Sequence, residues 1–91
     1  MEDETITKIE ELASVLTPPS QMAAMLGIDE DILKHKISIH GTKERMAFLK
    51  GMSATADKLR RNNIELANAG SPEAIRSCFA AMNRMLDDVE E

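Results

Sequence analysis

Few side chains in this sequence could support catalysis or hold a metal ion. His35 and His40 are five residues apart across a predicted helix end, so they face in different directions, and no cysteine or carboxylate stands at ligand spacing from them. Cys78, the single cysteine, lies in an apolar helical pattern and is predicted to be a small buried side chain in a reducing compartment. No glycine-rich phosphate loop or nucleophile elbow occurs. We therefore expect a protein that is not an enzyme and that carries no metal and no cofactor.

The distribution of charge is more informative than the net charge of −5. Between Lys34 and Arg61, eight lysines and arginines stand against two carboxylates, which leaves a local charge of +6, whereas both ends of the chain are acidic. Phosphate affinity depends on such a local patch, so the pattern is compatible with binding to double-stranded DNA. The alternative is a solvated helix surface whose charges happen to cluster. Phe48 and Phe79 are the only aromatic residues, so base stacking on single strands is not expected.

Two short amphipathic helices are predicted on either side of Gly27. The first begins with Thr17 as its N-cap and two prolines in its first turn, and the second begins with Asp29 as its N-cap. Leu33 and Ile37, four residues apart, are expected to face the first helix. This spacing is typical of a helix-turn-helix, whose second helix lies in the DNA major groove. An ordinary pair of packed helices that binds no nucleic acid has the same pattern, and that alternative stays open.

Seven polar and basic side chains in and after this motif are predicted to contact DNA. Those on the second motif helix would approach the groove, and the others would hold phosphates. The first group is Lys34, His35 and Lys36, and the second is Ser20, Gln21, Lys43 and Arg45. Against this interpretation, the second helix begins with three carboxylates, Asp29 to Asp31, which would repel phosphate. The alternative functions are therefore a protein-interaction module that keeps the same fold, or a transcription regulator.

The remaining elements are predicted to be helices as well. A first helix spans 6–16 with Thr5 as its N-cap. A long helix with Thr42 as its N-cap runs to the stop at Gly70 and is weakened only by Gly51. Its apolar or small positions are Met46, Leu49, Met52, Ala56, Leu59 and Leu66. The final helix spans 72–89, capped by Ser71. One of its faces carries Ile75, Cys78, Phe79, Met82, Met85, Leu86 and Val89.

The sequence thus predicts an all-α fold, with an N-terminal helix-turn-helix region at 1–41 followed by a long antiparallel helical hairpin at 42–91. A chain of 91 residues has little core to spare, and apolar residues lie on more than one face of the hairpin, so we expect a homo-oligomer. No apolar run of about 18 residues occurs, and the N-terminus is acidic where a signal peptide would be basic. A cytoplasmic protein with no membrane partner is expected.

The arrangement resembles the small terminase subunits of tailed phages and prophages. The residues that carry the resemblance are 17–19, Ala23 and 26–28, then 50–51, 59–60, 64–67 and 70–75. The resemblance implies that the helix-turn-helix recognises viral DNA for packaging and that the hairpin assembles subunits into a ring. It also implies a bacterial host cell and a partner, the large terminase subunit, which has ATPase and nuclease activity.

Overall fold

The computed structural model of the chain describes residues 1–90, and this part of the chain forms five α-helices and no strand. The helices are α1 (Asp3–Ser14), α2 (Pro19–Leu26), α3 (Glu30–Ser38), α4 (Lys43–Asn68) and α5 (Pro72–Glu90). The predicted all-α class is confirmed. None of the helices within 1–90 is both long enough and apolar enough to span a membrane.

The chain divides into two compact units, Met1–Ala56 (unit 1) and Asp57–Glu91 (unit 2). The division falls inside α4, which contributes residues to both units. Unit 1 therefore contains α1 to α3 together with the first half of α4.

The core of unit 1 is built from all four of its helices. Helix α2 packs against both α1 and α3. The buried apolar residues are Ile9 and Ala13 of α1, Met22 and Ala23 of α2, Leu33 and Ile37 of α3, and Ala47 of α4. The predicted inward orientation of Leu33 and Ile37 is confirmed. Because α3 has only nine residues, this packing rather than helix propensity must hold it in place.

Helices α1 and α4 approach each other at Gly51. A Cβ atom placed on Gly51 would lie 2.1 Å from the backbone oxygen of Glu10 and 3.0 Å from the Cβ of Ala13. One turn further along α4, the Thr55 hydroxyl donates a hydrogen bond to the carbonyl of Ser14. These contacts tie the first half of α4 to α1, which is why the boundary between the units falls inside α4.

The buried residues of α4 are not the large apolar residues of its sequence pattern. Its buried residues are Glu44, Ala47 and Gly51, whereas Met46, Leu49 and Met52 are exposed. Small residues occupy the contact because the two helices lie close together there. Glu44 is the only buried charged residue among the described residues, and its carboxylate lies 3.8 Å from the N-terminal amine.

Three predicted N-caps are confirmed. In each case the side-chain oxygen accepts a hydrogen bond from the backbone N–H three residues further on. The distances are 3.1 Å for Asp29 at α3, 3.1 Å for Thr42 at α4 and 3.3 Å for Ser71 at α5. These hydrogen bonds satisfy donors that a helix start would otherwise leave free.

Two predicted N-caps are wrong. Thr5 lies inside α1, which begins at Asp3 with two carboxylates in its first turn, where they interact favourably with the helix dipole. Thr17 lies before α2, which begins at Pro19 with Pro18 as the flanking residue and no side-chain cap. A proline in the first turn has no N–H that needs a partner, so α2 can begin without Thr17.

Helix α1 also ends earlier than predicted. The chain turns at Leu16, the only described residue other than glycine with a positive φ, at 64°. The N–H of Leu16 bonds to the carbonyl of Ala13 at 2.9 Å, and the N–H of Thr17 bonds to that of Leu12 at 3.0 Å. This pair of hydrogen bonds is a Schellman motif, in which glycine is the usual residue at the left-handed position. Leu16 is exposed and is not part of the apolar stripe of α1.

Replacing Leu16 with glycine should therefore stabilise unit 1 by about 1 kcal/mol, because a left-handed residue with a Cβ is strained by roughly that amount. Urea unfolding followed by circular dichroism would measure the change. Val15→Gly is the matched control, since Val15 is also exposed but has a φ of −104°. Glycine should destabilise that position through the entropy of the unfolded chain. Equal losses of stability in both variants would contradict the prediction.

Unit 2 consists of the second half of α4 and helix α5. The two are joined at Gly70, whose φ is 98°, and the Ser71 N–H bonds to the carbonyl of Leu66 at 3.1 Å. The predicted helix stop at Gly70 is confirmed. Asn63 of α4 donates to the hydroxyl of Ser77 of α5 at 3.2 Å, so the two helices are in contact.

Candidate nucleic-acid interface

The end of α3 and the start of α4 form a corner rich in cations. The Thr42 hydroxyl, which caps α4, also donates a hydrogen bond to the carbonyl of Lys36 at 2.7 Å. Arg45 donates from its guanidinium to the carbonyl of Ile37 at 3.1 Å. These two bonds hold the first turn of α4 against the last turn of α3. We call the basic residues at this junction the basic corner: Lys36, His40, Lys43 and Arg45.

The members of the basic corner differ in how free they are to bind a ligand. His40 and Lys43 are exposed, and Lys36 is half-buried. Within residues 1–90, no carboxylate lies within 4 Å of the ammonium group of Lys36 or Lys43. Arg45 is half-buried and satisfies a carbonyl in the last turn of α3, where a cation also interacts favourably with the helix dipole. Arg45 is thus part of the fold as well as a source of positive charge.

The outer surface of α3 carries charges of both signs. Lys34 and His35 are both exposed. The Lys34 ammonium lies 3.8 Å from the Glu30 carboxylate, with both side chains about half exposed. A surface pair of this kind contributes little stability but offsets part of the charge of Lys34. Asp31, also exposed, adds a second carboxylate at the same end of the helix.

Ser20 and Gln21 lie in the first turn of α2. Ser20 is half-buried and Gln21 is exposed, and in the part of the chain that the structure describes neither side chain makes a hydrogen bond to another residue. Of the seven predicted site residues, the structure therefore gathers five around α3 and the start of α4. The other two are on the helix that packs against α3.

The basic stretch of the sequence is divided between the two units. Lys58, Arg60 and Arg61 lie in the second half of α4, which belongs to unit 2. Arg61 donates from Nε to Asp57 at 2.9 Å. That hydrogen bond, and then the charge of Asp57, raise the pKa of Arg61 above its ordinary value. The local charge of +6 counted between Lys34 and Arg61 is therefore larger than the charge that unit 1 contributes, because three of the eight basic residues lie in unit 2.

Sequence reasoning missed two features of the interface. It did not include His40 among the DNA contacts, although His40 is exposed and lies in the chain between Lys36 and Lys43. It also predicted only a phosphate contact for Arg45 and not the hydrogen bond that Arg45 donates to the Ile37 carbonyl. The predicted N-cap at Thr42 was the sequence feature that could have indicated this corner, because a helix that starts there brings Lys43 and Arg45 to the end of α3.

The arrangement offers cations and hydrogen-bond donors, the groups that bind phosphate. No three histidine, cysteine or acidic side chains of the described residues come close enough together to hold a metal ion. Comparison of the chain with protein-family models, with curated proteins and with solved structures finds no significant match.

Proposed function

We propose that the protein binds double-stranded DNA, with α2, the turn at Gly27 and α3 acting as a helix-turn-helix. In this arrangement α3 enters the major groove and the basic corner contacts the phosphates that flank it. The observation that carries the proposal is the pair of hydrogen bonds to the Lys36 and Ile37 carbonyls. They hold Lys36, Lys43 and Arg45 together at the end of the helix that carries Lys34 and His35.

The lengths and connection of the two helices support the same role. Helix α2 has eight residues and α3 has nine. Gly27, with a φ of 69°, begins the short turn between them. The first turn of α2 has no side-chain cap, so its backbone N–H groups can donate to a phosphate beside Ser20 and Gln21.

We further propose that this DNA binding belongs to phage or prophage DNA packaging, in the manner of a small terminase subunit. The support is the resemblance of the sequence to that family. In this role α4 and α5 would form an antiparallel hairpin that joins subunits, and a large terminase subunit would be the partner. A gene for a large terminase subunit beside the gene for this protein is the expected observation. A neighbourhood of transcriptional or unrelated genes would favour the regulator alternative.

Salt dependence of DNA binding tests the interface directly. The protein should bind a duplex with an affinity that falls steeply as salt rises, measured by fluorescence anisotropy from about 50 to 200 mM salt. Lys34→Ala and Lys43→Ala should each reduce the slope of log affinity against log salt by about 1. That corresponds to roughly a three- to fourfold smaller loss of affinity over this range. Arg45→Ala is less informative, because it also removes the donor to the Ile37 carbonyl.

Lys58→Ala is the matched control. It removes the same charge from the same helix as Lys43→Ala, but at an exposed position in unit 2. Its slope should equal that of the wild type. A slope that changes equally in Lys43→Ala and Lys58→Ala would indicate non-specific attraction to the whole basic stretch and would contradict the proposed interface.

A second candidate function, binding of a protein partner through α3, is favoured by the acidic first turn of that helix. Glu30→Gln combined with Asp31→Asn removes two repulsive charges and leaves the Asp29 cap in place, so it should tighten non-specific DNA binding. If neither the wild type nor this double variant binds long duplex DNA at low salt, the DNA proposal is wrong. The helix-turn-helix would then serve as a protein-interaction scaffold.

A further inference from the structure

Helix α5 carries two adjacent apolar stripes, and only one of them is covered. The small seam, which faces α4, consists of the buried Ala74 and the half-buried Cys78 and Ala81. Asn63 of α4 contacts this seam, with its amide nitrogen 3.6 Å from the sulfur of Cys78. The large seam lies beside the small one and consists of Ile75, Phe79, Met82, Leu86 and Val89. The single packing stripe predicted for this helix therefore divides into two stripes, and most of its larger side chains are in the exposed one. Met85, the remaining residue of the predicted stripe, follows the small seam and is exposed.

The large seam is exposed along its whole length. Its five side chains are 37%, 61%, 52%, 61% and 84% exposed in chain order. The exposed surface of the five side chains together equals that of about three fully exposed large apolar side chains. At roughly 150–200 Å² for each, this is an area of about 500 Å². Ala74 is the only buried residue among the described residues of unit 2, so this unit has almost no core of its own. Such an exposed apolar patch marks an interaction site.

The spacing of the large seam indicates what kind of element covers it. Its residues alternate steps of four and three, the repeat of a left-handed coiled coil in which another helix packs against the seam. Two copies of the seam would together remove about 1,000 Å² from water, which is the size at which a specific interface begins. One helix of a second chain is thus sufficient.

We propose that the large seam is covered by the same seam of a second copy of this chain, with the two α5 helices antiparallel in a symmetric dimer. Each of Ile75, Met82 and Val89 is followed by a residue at the border of the seam, and these are Arg76, Asn83 and Glu90. The border therefore runs from positive through neutral to negative along α5. When two such helices pair in opposite directions, the positive end of one border meets the negative end of the other.

The antiparallel arrangement follows from these border residues. With Asn83 at the two-fold axis, Arg76 of each chain lies opposite Glu90 of the partner subunit, and Phe79 lies opposite Val89 of the partner subunit. In a parallel pairing, the border residues would instead lie against Cys78 and Met85 of the partner subunit, and no ion pair would form. Residues 57–90 carry five basic and six acidic side chains, so two copies meet without strong net repulsion.

The first experiment measures the mass of the full-length protein by light scattering at micromolar concentration. The wild type should have the mass of two chains. Leu86→Asp places a carboxylate in the seam and should give a monomer. Leu66→Asp, the same change at a similarly exposed leucine of α4, should remain a dimer. A monomeric wild type, or a dimer that is lost only in Leu66→Asp, would overturn the proposal. A larger ring would overturn the dimer too, and would instead support the ring assembly that the terminase resemblance implies.

A charge reversal tests the orientation without placing a charge in the apolar seam. Arg76→Glu should weaken dimerisation by about tenfold at low salt, because each predicted ion pair becomes a repulsion. Adding Glu90→Arg to the same chain should restore the wild-type dissociation constant, since the pairs are then reversed in sign. Circular dichroism would verify that helix content is unchanged. Failure of the second change to rescue the first would overturn the antiparallel arrangement.

Discussion

Replacing Gly51 with alanine is expected to destabilise unit 1 by about 3 kcal/mol, as an overpacked contact does. Helix propensity alone predicts the opposite sign, because alanine is favoured over glycine inside a helix by about 1 kcal/mol. The contact decides the outcome. The added Cβ would lie 2.1 Å from the backbone oxygen of Glu10, and a backbone atom in a packed helix cannot move aside as a flexible side chain can. Urea unfolding followed by circular dichroism would measure the loss.

The reverse substitution three residues further on is the matched control. Ala54 is exposed on the same helix and in the same unit. Ala54→Gly should cost about 1 kcal/mol through helix propensity alone. Alanine is therefore expected to be the stabilising residue at position 54 and the destabilising residue at position 51. If Gly51→Ala instead raises stability, the close approach of α1 and α4 is wrong.

Leu33→Ala should also have a large effect, a loss of about 3 kcal/mol in the free energy of unfolding. Leu33 is fully buried and contributes, with Ile37, the contact of α3 with the core of unit 1. Small domains are stable by only about 5–15 kcal/mol in total, so this variant should show a much lower melting temperature. DNA binding should weaken in parallel near the melting temperature, because α3 is too short to stay helical without its packing.

Ile32→Ala is the control for this change. Ile32 is the neighbouring residue on the same helix, but it is 53% exposed. Its truncation should cost less than about 1 kcal/mol, since much of the side chain is already in water. Comparable losses in the two variants would mean that α3 presents a different face to the core than the structure indicates.

The start and stop signals of the helices were readable from the sequence because they depend on residues close together in the chain. Asp29, Thr42 and Ser71 cap the helices that they were predicted to cap, and Gly70 ends α4. Each cap is a bond between a side chain and a backbone N–H three residues away, and the stop at Gly70 depends on the backbone conformation of that one residue. Leu16 shows the limit of such signals, because a left-handed turn without glycine or asparagine has no distinctive residue to indicate it.

The candidate site was predictable in part for the same reason. The cap at Thr42 fixes where α4 begins and so brings Lys43 and Arg45 next to the end of α3. The hydrogen bond from Arg45 to the Ile37 carbonyl joins residues eight apart in different helices, and no local rule predicts it. The structural role of Arg45 therefore became visible only with the tertiary structure.

The sequence by itself determined that the chain is all-α and where most of its helices begin, since both follow from short-range periodicity and capping. Tertiary structure alone decided which faces pack. Gly51 is a close contact rather than a weak point because α1 crosses α4 there. On α5, periodicity marks both apolar seams equally. The small seam is the one that lies against α4, because Ala74 and Cys78 let the two helices approach and the bulkier Phe79 and Leu86 would hold them apart.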